Sequence, residues 1–231
     1  MQQLNKTPFD IFKNALLAAT GLFTFGFGVY LTIQANIGVA PWDTLTLGLA
    51  QTIGTLYGNV SVVMAFCILG IDLLMGEKIG IGSLLDAVIV GKTVDFFNWL
   101  GLIRPLENMW AGIVLLMIGF LIMGFSQYLY MKAGLCCGPK DSLMVGISRR
   151  ISKLPIGAVN IMITIVIFVI GWRLGGPVGI GTLIGTVAMG GMMQLAFNIV
   201  KFEPKDVVHQ NIFESIKVLT GRVAGEQQEG E

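Results

Sequence analysis

The stretch Pro139-Lys-Asp-Ser-Leu-Met-Val-Gly-Ile-Ser-Arg-Arg150 decides the fold. It opens as a helix does, with proline ahead of an acidic first turn. Its apolar part, Ser142 to Ser148, runs for only about two turns before Arg149, Arg150 and Lys153. Crossing a bilayer takes about 20 apolar residues, and charge at mid-membrane is costly. The segment therefore reads as a re-entrant half-helix and not as a lipid-exposed crossing.

That segment has an earlier copy. Shifted by 98 residues, Gly21, Gly26 and Tyr30 fall on Gly119, Gly124 and Tyr128. Pro41, Asp43, Leu45 and Gly48 fall on Pro139, Asp141, Leu143 and Gly146. One inserted residue later, Gly58 falls on Gly157, and Gly80-Ile-Gly82 falls on Gly179-Ile-Gly181. Apolar matches are cheap in so apolar a chain; the shared Pro-x-Asp and Gly-Ile-Gly punctuation is not. The chain reads as an internal duplication.

Composition sets the medium. Of 231 residues, 54% are hydrophobic and 13% charged, about half the charge of a soluble domain. Mean hydropathy is +0.77. The 31 glycines suit close helix packing in lipid. A net charge of +1 provides no field for nucleic acid. The apolar run after the polar start lacks a small-residue cleavage site, so it reads as a retained span.

Apolar stretches run over Ala15–Ile33, Thr44–Tyr57, Val60–Met75, Ile79–Ile103, Met109–Met131, Ser142–Ser148, Ala158–Leu174 and Val178–Val200. If each Pro-x-Asp helix is re-entrant, each repeat crosses three times and the odd count inverts the second against the first. The expected fold is an all-α polytopic membrane protein of two inverted repeats, with six spans and two hairpins. Residues 1–14 form a cytoplasmic amino terminus, 15–103 repeat 1, 104–108 a linker and 109–200 repeat 2. Residues 201–231 form a cytoplasmic tail, with a short amphipathic helix over 211–221. The positive-inside rule favours this layout. It keeps Lys78, Lys132, Lys140, Arg149, Arg150, Lys153, Lys201 and Lys205 inside, and only Arg104 and Arg173 outside. A four-crossing repeat would move Lys78, Lys132 and Lys140 out. The expected location is the cell inner (plasma) membrane, multi-pass, with both termini cytoplasmic.

Asp43 and Asp141 head the candidate site residues because the duplication keeps both. Each has two readings: a first-turn carboxylate capping its helix, or part of a solute or ion site where broken helices meet at a repeat interface. Trp42 and Lys140 hold the variable place of Pro-x-Asp and are expected to make the two entrances differ. Asp86, Lys92 and Asp95 lie inside a span, where charge is by default functional. Lys92 and Asp95, three apart, face each other on one helix; Asp86 points to nearly the opposite side. Asp72 reads as interfacial, and Tyr30 and Tyr128 as aromatic-belt anchors. Ser61, Asn98, Asn160 and Gln194 read as interhelical glue. Pro41, Pro139, Gly48, Gly146, Gly80, Gly82, Gly179 and Gly181 form the structural repeat motif. Cys67, Cys136 and Cys137 give no disulfide framework, and a soft-metal role for the adjacent pair is the minor reading. His209, the lone histidine, reads as solvated.

Asn36-Ile-Gly-Val-Ala-Pro-Trp-Asp43, with Leu45, Gly48 and Gly80-Ile-Gly82, resembles the YitT/YczE-type bacterial integral membrane proteins. The resemblance spans roughly Ala15 to Val200. It implies a membrane fold and location, and no substrate or catalytic residue. Three functional classes then compete. A small-solute transporter, or a channel variant, fits the inverted repeats and buried charge. Its solute leans towards a cation, amine or zwitterion, since each half-helix start already holds its own carboxylate. A non-transporting regulatory or assembly subunit would act through its basic hairpin and tail. An intramembrane enzyme is weakest, with no HExxH, no G-x-S-x-G and no second histidine. No cofactor or metal is expected; the bilayer, the solute, and a second copy or a membrane partner are.

Overall fold

The computed structural model describes residues 8–77, 79–135, 138–151, 156–202 and 212. Among them the chain is all-helical: α1 (Pro8–Gln34), α2 (Pro41–Ile53), α3 (Tyr57–Leu74), α4 (Ile81–Leu100), α5 (Met109–Lys132), α6 (Pro139–Arg150), α7 (Ile156–Arg173) and α8 (Ile180–Ile199). Local signals account for the ends. Pro41 and Pro139 open their helices at the position where a missing N–H costs nothing. Gly54 and Gly101 close α2 and α4 in the left-handed conformation. Asn108 caps α5, its side-chain oxygen accepting from the Trp110 and Ala111 amides. α1 starts at Pro8, seven residues before the expected span, because Pro8 and Asp10 make a favourable first turn.

Among the described residues, four helices are long and apolar enough to cross a membrane: α1, α3, α5 and α8. α4 has the length, with 20 residues, but carries Asp86, Lys92 and Asp95. α7 is apolar and 18 residues long. α2 and α6, with 13 and 12 residues, are about 20 Å and 18 Å long, against a hydrocarbon core of about 30 Å.

α1 and α5 form the centre and run antiparallel. A Cβ on Gly21 would meet Tyr130, one on Gly28 would meet Gly119 and Met123, and one on Gly112 would meet Ala35. α4 packs on α1, and α8 on α5. Matched glycines make both crossings: Gly26 lies against Val90 and Thr93, Gly124 against Met192 and Ala196. The short helices reach into the other half, α2 onto α7 and α6 onto α3, again over matched glycines, Gly48 and Gly146.

The Gly-Ile-Gly elements are close approaches between the halves. The Gly82 amide donates to the Leu135 carbonyl at 2.9 Å, and the Gly181 amide to the Ile37 carbonyl at 2.7 Å. Ile37 and Leu135 share the 98-residue offset, and Gly82 and Gly181 the 99-residue one, so one bond is the counterpart of the other. Gly38 has a φ of +101°, and a Cβ there would lie 2.5 Å from the Gly179 nitrogen. Only glycine fits that position.

Candidate functional site

The starts of α2 and α6 meet. The Lys140 ammonium lies 5.2 Å from the centroid of the Trp42 ring, within cation–π range. The variable residues of the two Pro-x-Asp motifs therefore share one place and do not guard separate entrances. Neither helix has a side-chain capping hydrogen bond; their N-caps are Ala40 and Gly138. Asp43 and Asp141 stand in the first turn, where the helix dipole favours them, but the capping role is not what holds them.

α4 brings Asp86 to this junction. A Cβ on Gly138 would lie 2.5 Å from Asp86 Oδ2 and 3.8 Å from Asp141 Oδ2, so both carboxylates converge on the turn that starts α6. Asp86 feels the charges of both Lys140 and Asp141. Trp42, Lys140 and Asp86 are half-buried and Asp141 is exposed. The cluster thus holds two carboxyl groups and one ammonium beside an aromatic face.

Asp43 points elsewhere. It is buried, and the Tyr57 hydroxyl donates to its Oδ1 at 2.8 Å. Asp95 acts electrostatically on the same tyrosine and accepts from the Gly58 amide at 2.8 Å. Lys92 Nζ stands 3.9 Å from Asp95 Oδ2 and donates to Asn59 at 2.6 Å. Lys92 and Asp95 are therefore the local pair their spacing predicted, and they fasten α3 to α4. They do not join Trp42 and Lys140.

The two halves are packed differently. Gly58 and Gly91 press α3 against α4; a Cβ on Gly91 would lie 3.0 Å from the Gly58 carbonyl oxygen. Their counterparts Gly157 and Gly190 meet nothing within 4 Å among the described residues, and α7 and α8 make little contact. The carboxylates follow suit, Asp43 buried and Asp141 exposed. The counterpart of Tyr57 is Ile156, which has no hydroxyl to offer Asp141.

Several side chains depart from their sequence reading. Tyr30 is no belt anchor: fully buried, it donates to the Ile103 carbonyl and accepts from the Ile103 amide, at 2.9 and 2.8 Å. Tyr128 sits edge-on to Phe202, at 5.0 Å, so Tyr30 closes on the segment after α4 and Tyr128 on the segment after α8. Asp72, two residues from the end of α3, is fully buried within the protein. Gln34 bonds to Asn98 across helices at 2.8 Å, whereas Asn160 and Gln194 bond within their own helices. Cys136, Cys137, His209 and all of the expected tail helix except Ile212 lie outside the described residues.

A family of unknown function, DUF6198, matches residues 12–198. The chain belongs to this family. The uncharacterized membrane protein YczE of Bacillus subtilis (strain 168) is 33% identical over 172 residues, covering 74% of this chain and 79% of YczE. An uncharacterized protein of Haemophilus influenzae is 27% identical over 189 residues, covering 82% and 85%. YyaS of Bacillus subtilis is 30% identical over 181 residues, covering 77% and 88%. No solved structure matches the chain. This family member is of the YczE type and a membrane protein.

Proposed function

We propose that this YczE-type protein is a small-solute carrier of the cell inner membrane. In this reading it has two inverted repeats of three crossings and one half-helix each, with its site where α2 and α6 meet. Both termini are cytoplasmic, and the protein does no chemistry on its solute. The antiparallel run of α1 and α5 supports inversion, because matched helices then point in opposite directions. The paired Gly82–Leu135 and Gly181–Ile37 bonds suit a pseudo-two-fold axis in the membrane plane. Contact between Trp42 and Lys140 suits half-helices entering from opposite faces and ending near mid-depth.

The observation that carries the reading is the inequality of the halves. Gly58 and Gly91 touch while Gly157 and Gly190 stand open, although the sequence keeps glycine at all four. A carrier with inverted repeats alternates by letting the halves exchange conformations. In the second state α7 closes on α8, burying Asp141, and α3 parts from α4, freeing Asp43.

The test uses the full chain without its native cysteines. One variant carries Asn59→Cys with Lys92→Cys, across the closed pair; a second carries Ala158→Cys with Gly191→Cys, at the counterpart positions. A short bifunctional thiol reagent cross-links both variants if two states exchange. Cross-linking of the first alone means a static asymmetry. The carrier then falls, and a non-transporting membrane partner takes its place.

A further inference from the structure

Resting on the carrier reading, we infer that the solute is an organic cation, and that Lys140 is its tethered stand-in. The lysine ammonium lies 5.2 Å from the Trp42 ring centroid, where an aromatic face attracts ammonium. Asp86 and Asp141 converge on Gly138 beside it. The chain has therefore already seated one alkylammonium in this place, at the junction of its two half-helices. Other solute classes fit worse. An anion would face two carboxylates with only one ammonium to answer them. A neutral polar solute would strip water from charges that it cannot pair. A small inorganic cation would be served by the carboxylates and has no use for the indole.

The tether also has a use in the cycle. With solute on Trp42, the Lys140 ammonium is displaced and its charge is balanced by Asp86 or Asp141. After release, Lys140 returns to the ring and the empty site is again partly neutralised. An empty carrier can then reorient with one carboxylate fewer unpaired in low dielectric. Asp141 is exposed and Trp42, Lys140 and Asp86 are only half-buried, so the exchange draws no side chain from a closed core.

The experiment is calorimetric titration of the whole protein in lipid nanodiscs, using tetramethylammonium and ethylammonium, with sodium and acetate as controls. Lys140→Met removes the competitor, so both ammonium probes bind about tenfold or more tighter than to the native chain, about 1.4 kcal/mol. Trp42→Leu reverses that gain in the Lys140→Met background. Lys140→Arg keeps a cation on the ring and behaves as native, which separates competition from a folding effect. Sodium and acetate give no heat dependent on Trp42. If a folded Lys140→Met protein binds neither ammonium probe, the inference is overturned. Cross-linking of the Ala158→Cys, Gly191→Cys pair then says separately whether the carrier survives. Ammonium binding that ignores Trp42 overturns the inference as well.

Discussion

Lys140 lies over the ring of Trp42, at 5.2 Å, and the two residues hold the same place in the two halves of the sequence. A position that touches its own counterpart is a place where the two halves come together. The contact therefore locates the junction of the halves, and Asp86 and Asp141 border it. A cation–π pair is worth about 0.5–2 kcal/mol, more as water is excluded. That is enough to bias a site and weak enough for a solute to displace.

Asp43 and Asp141 respond differently to loss of their surroundings. Tyr57→Phe removes the hydroxyl that Asp43 accepts at 2.8 Å and leaves a buried carboxylate without that donor. The cost is about 1–3 kcal/mol, seen as a lower midpoint of thermal unfolding in detergent. Asp141→Asn, at an exposed residue, leaves that midpoint within error. Equal effects from the two variants would mean that the halves are equivalent after all.

Much of this was legible in the sequence. The 98-residue offset brought out both Pro-x-Asp helices, and the charges of Arg149 and Arg150 marked the second as too short to cross. What joined across the halves was not legible, because Trp42 and Lys140 are nearly a hundred residues apart with no local pattern linking them. Tyr30 was misread for the same reason: its bonds to Ile103 leave no trace in its own helix. The inequality of Asp43 and Asp141 did have a signal. Tyr57 against Ile156, at matched positions, places a hydroxyl near one carboxylate and none near the other.

The glycine pairs separate closed from open. Gly91→Ala pushes a methyl to within 2.9 Å of the Ser61 Cβ and 3.0 Å of the Gly58 carbonyl. Overpacking of this kind costs about 1–3 kcal/mol. Gly190→Ala meets open space and gains helix propensity, about 0.5–1 kcal/mol. Thermal unfolding of the two variants should move in opposite directions. On the carrier reading, the bulkier Gly190→Val keeps the fold and loses transport in a solute-flux assay, because α7 then cannot close on α8.

Asp72 is fully buried, and both of its carboxylate oxygens lack a hydrogen-bond partner among the described residues. A buried polar group left unpaired costs about 1–3 kcal/mol, and an apolar side chain of similar volume removes that cost. Asp72→Leu is therefore expected to raise the unfolding midpoint. A marked fall instead would show that the carboxylate has a partner beyond the described residues.

The last prediction concerns which face of the membrane each loop meets. The segment after α4 is seated on the end of α1: the Leu106 backbone N–H donates to the Gln34 carbonyl at 2.9 Å, and the Asn36 side-chain Nδ2 donates to the Leu106 carbonyl at 3.0 Å. The end of α6 is tied to the end of α3, where Arg149 reaches Glu77 at 3.1 Å and Arg150 reaches the Met75 carbonyl at 3.1 Å. In the inverted-repeat layout these ends lie on opposite faces, Arg104 outside and Arg149 inside. In intact cells, an impermeant thiol reagent should label Arg104→Cys and leave Arg149→Cys untouched until the membrane is opened. Arg149→Cys is a usable probe because its side chain is 69% exposed, although the change takes the guanidinium from Glu77, whose side chain is 11% exposed. Protection at position 104 would make the repeats parallel. The starts of α2 and α6 would then enter from the same face, and the alternating site between them would have no second side to open to.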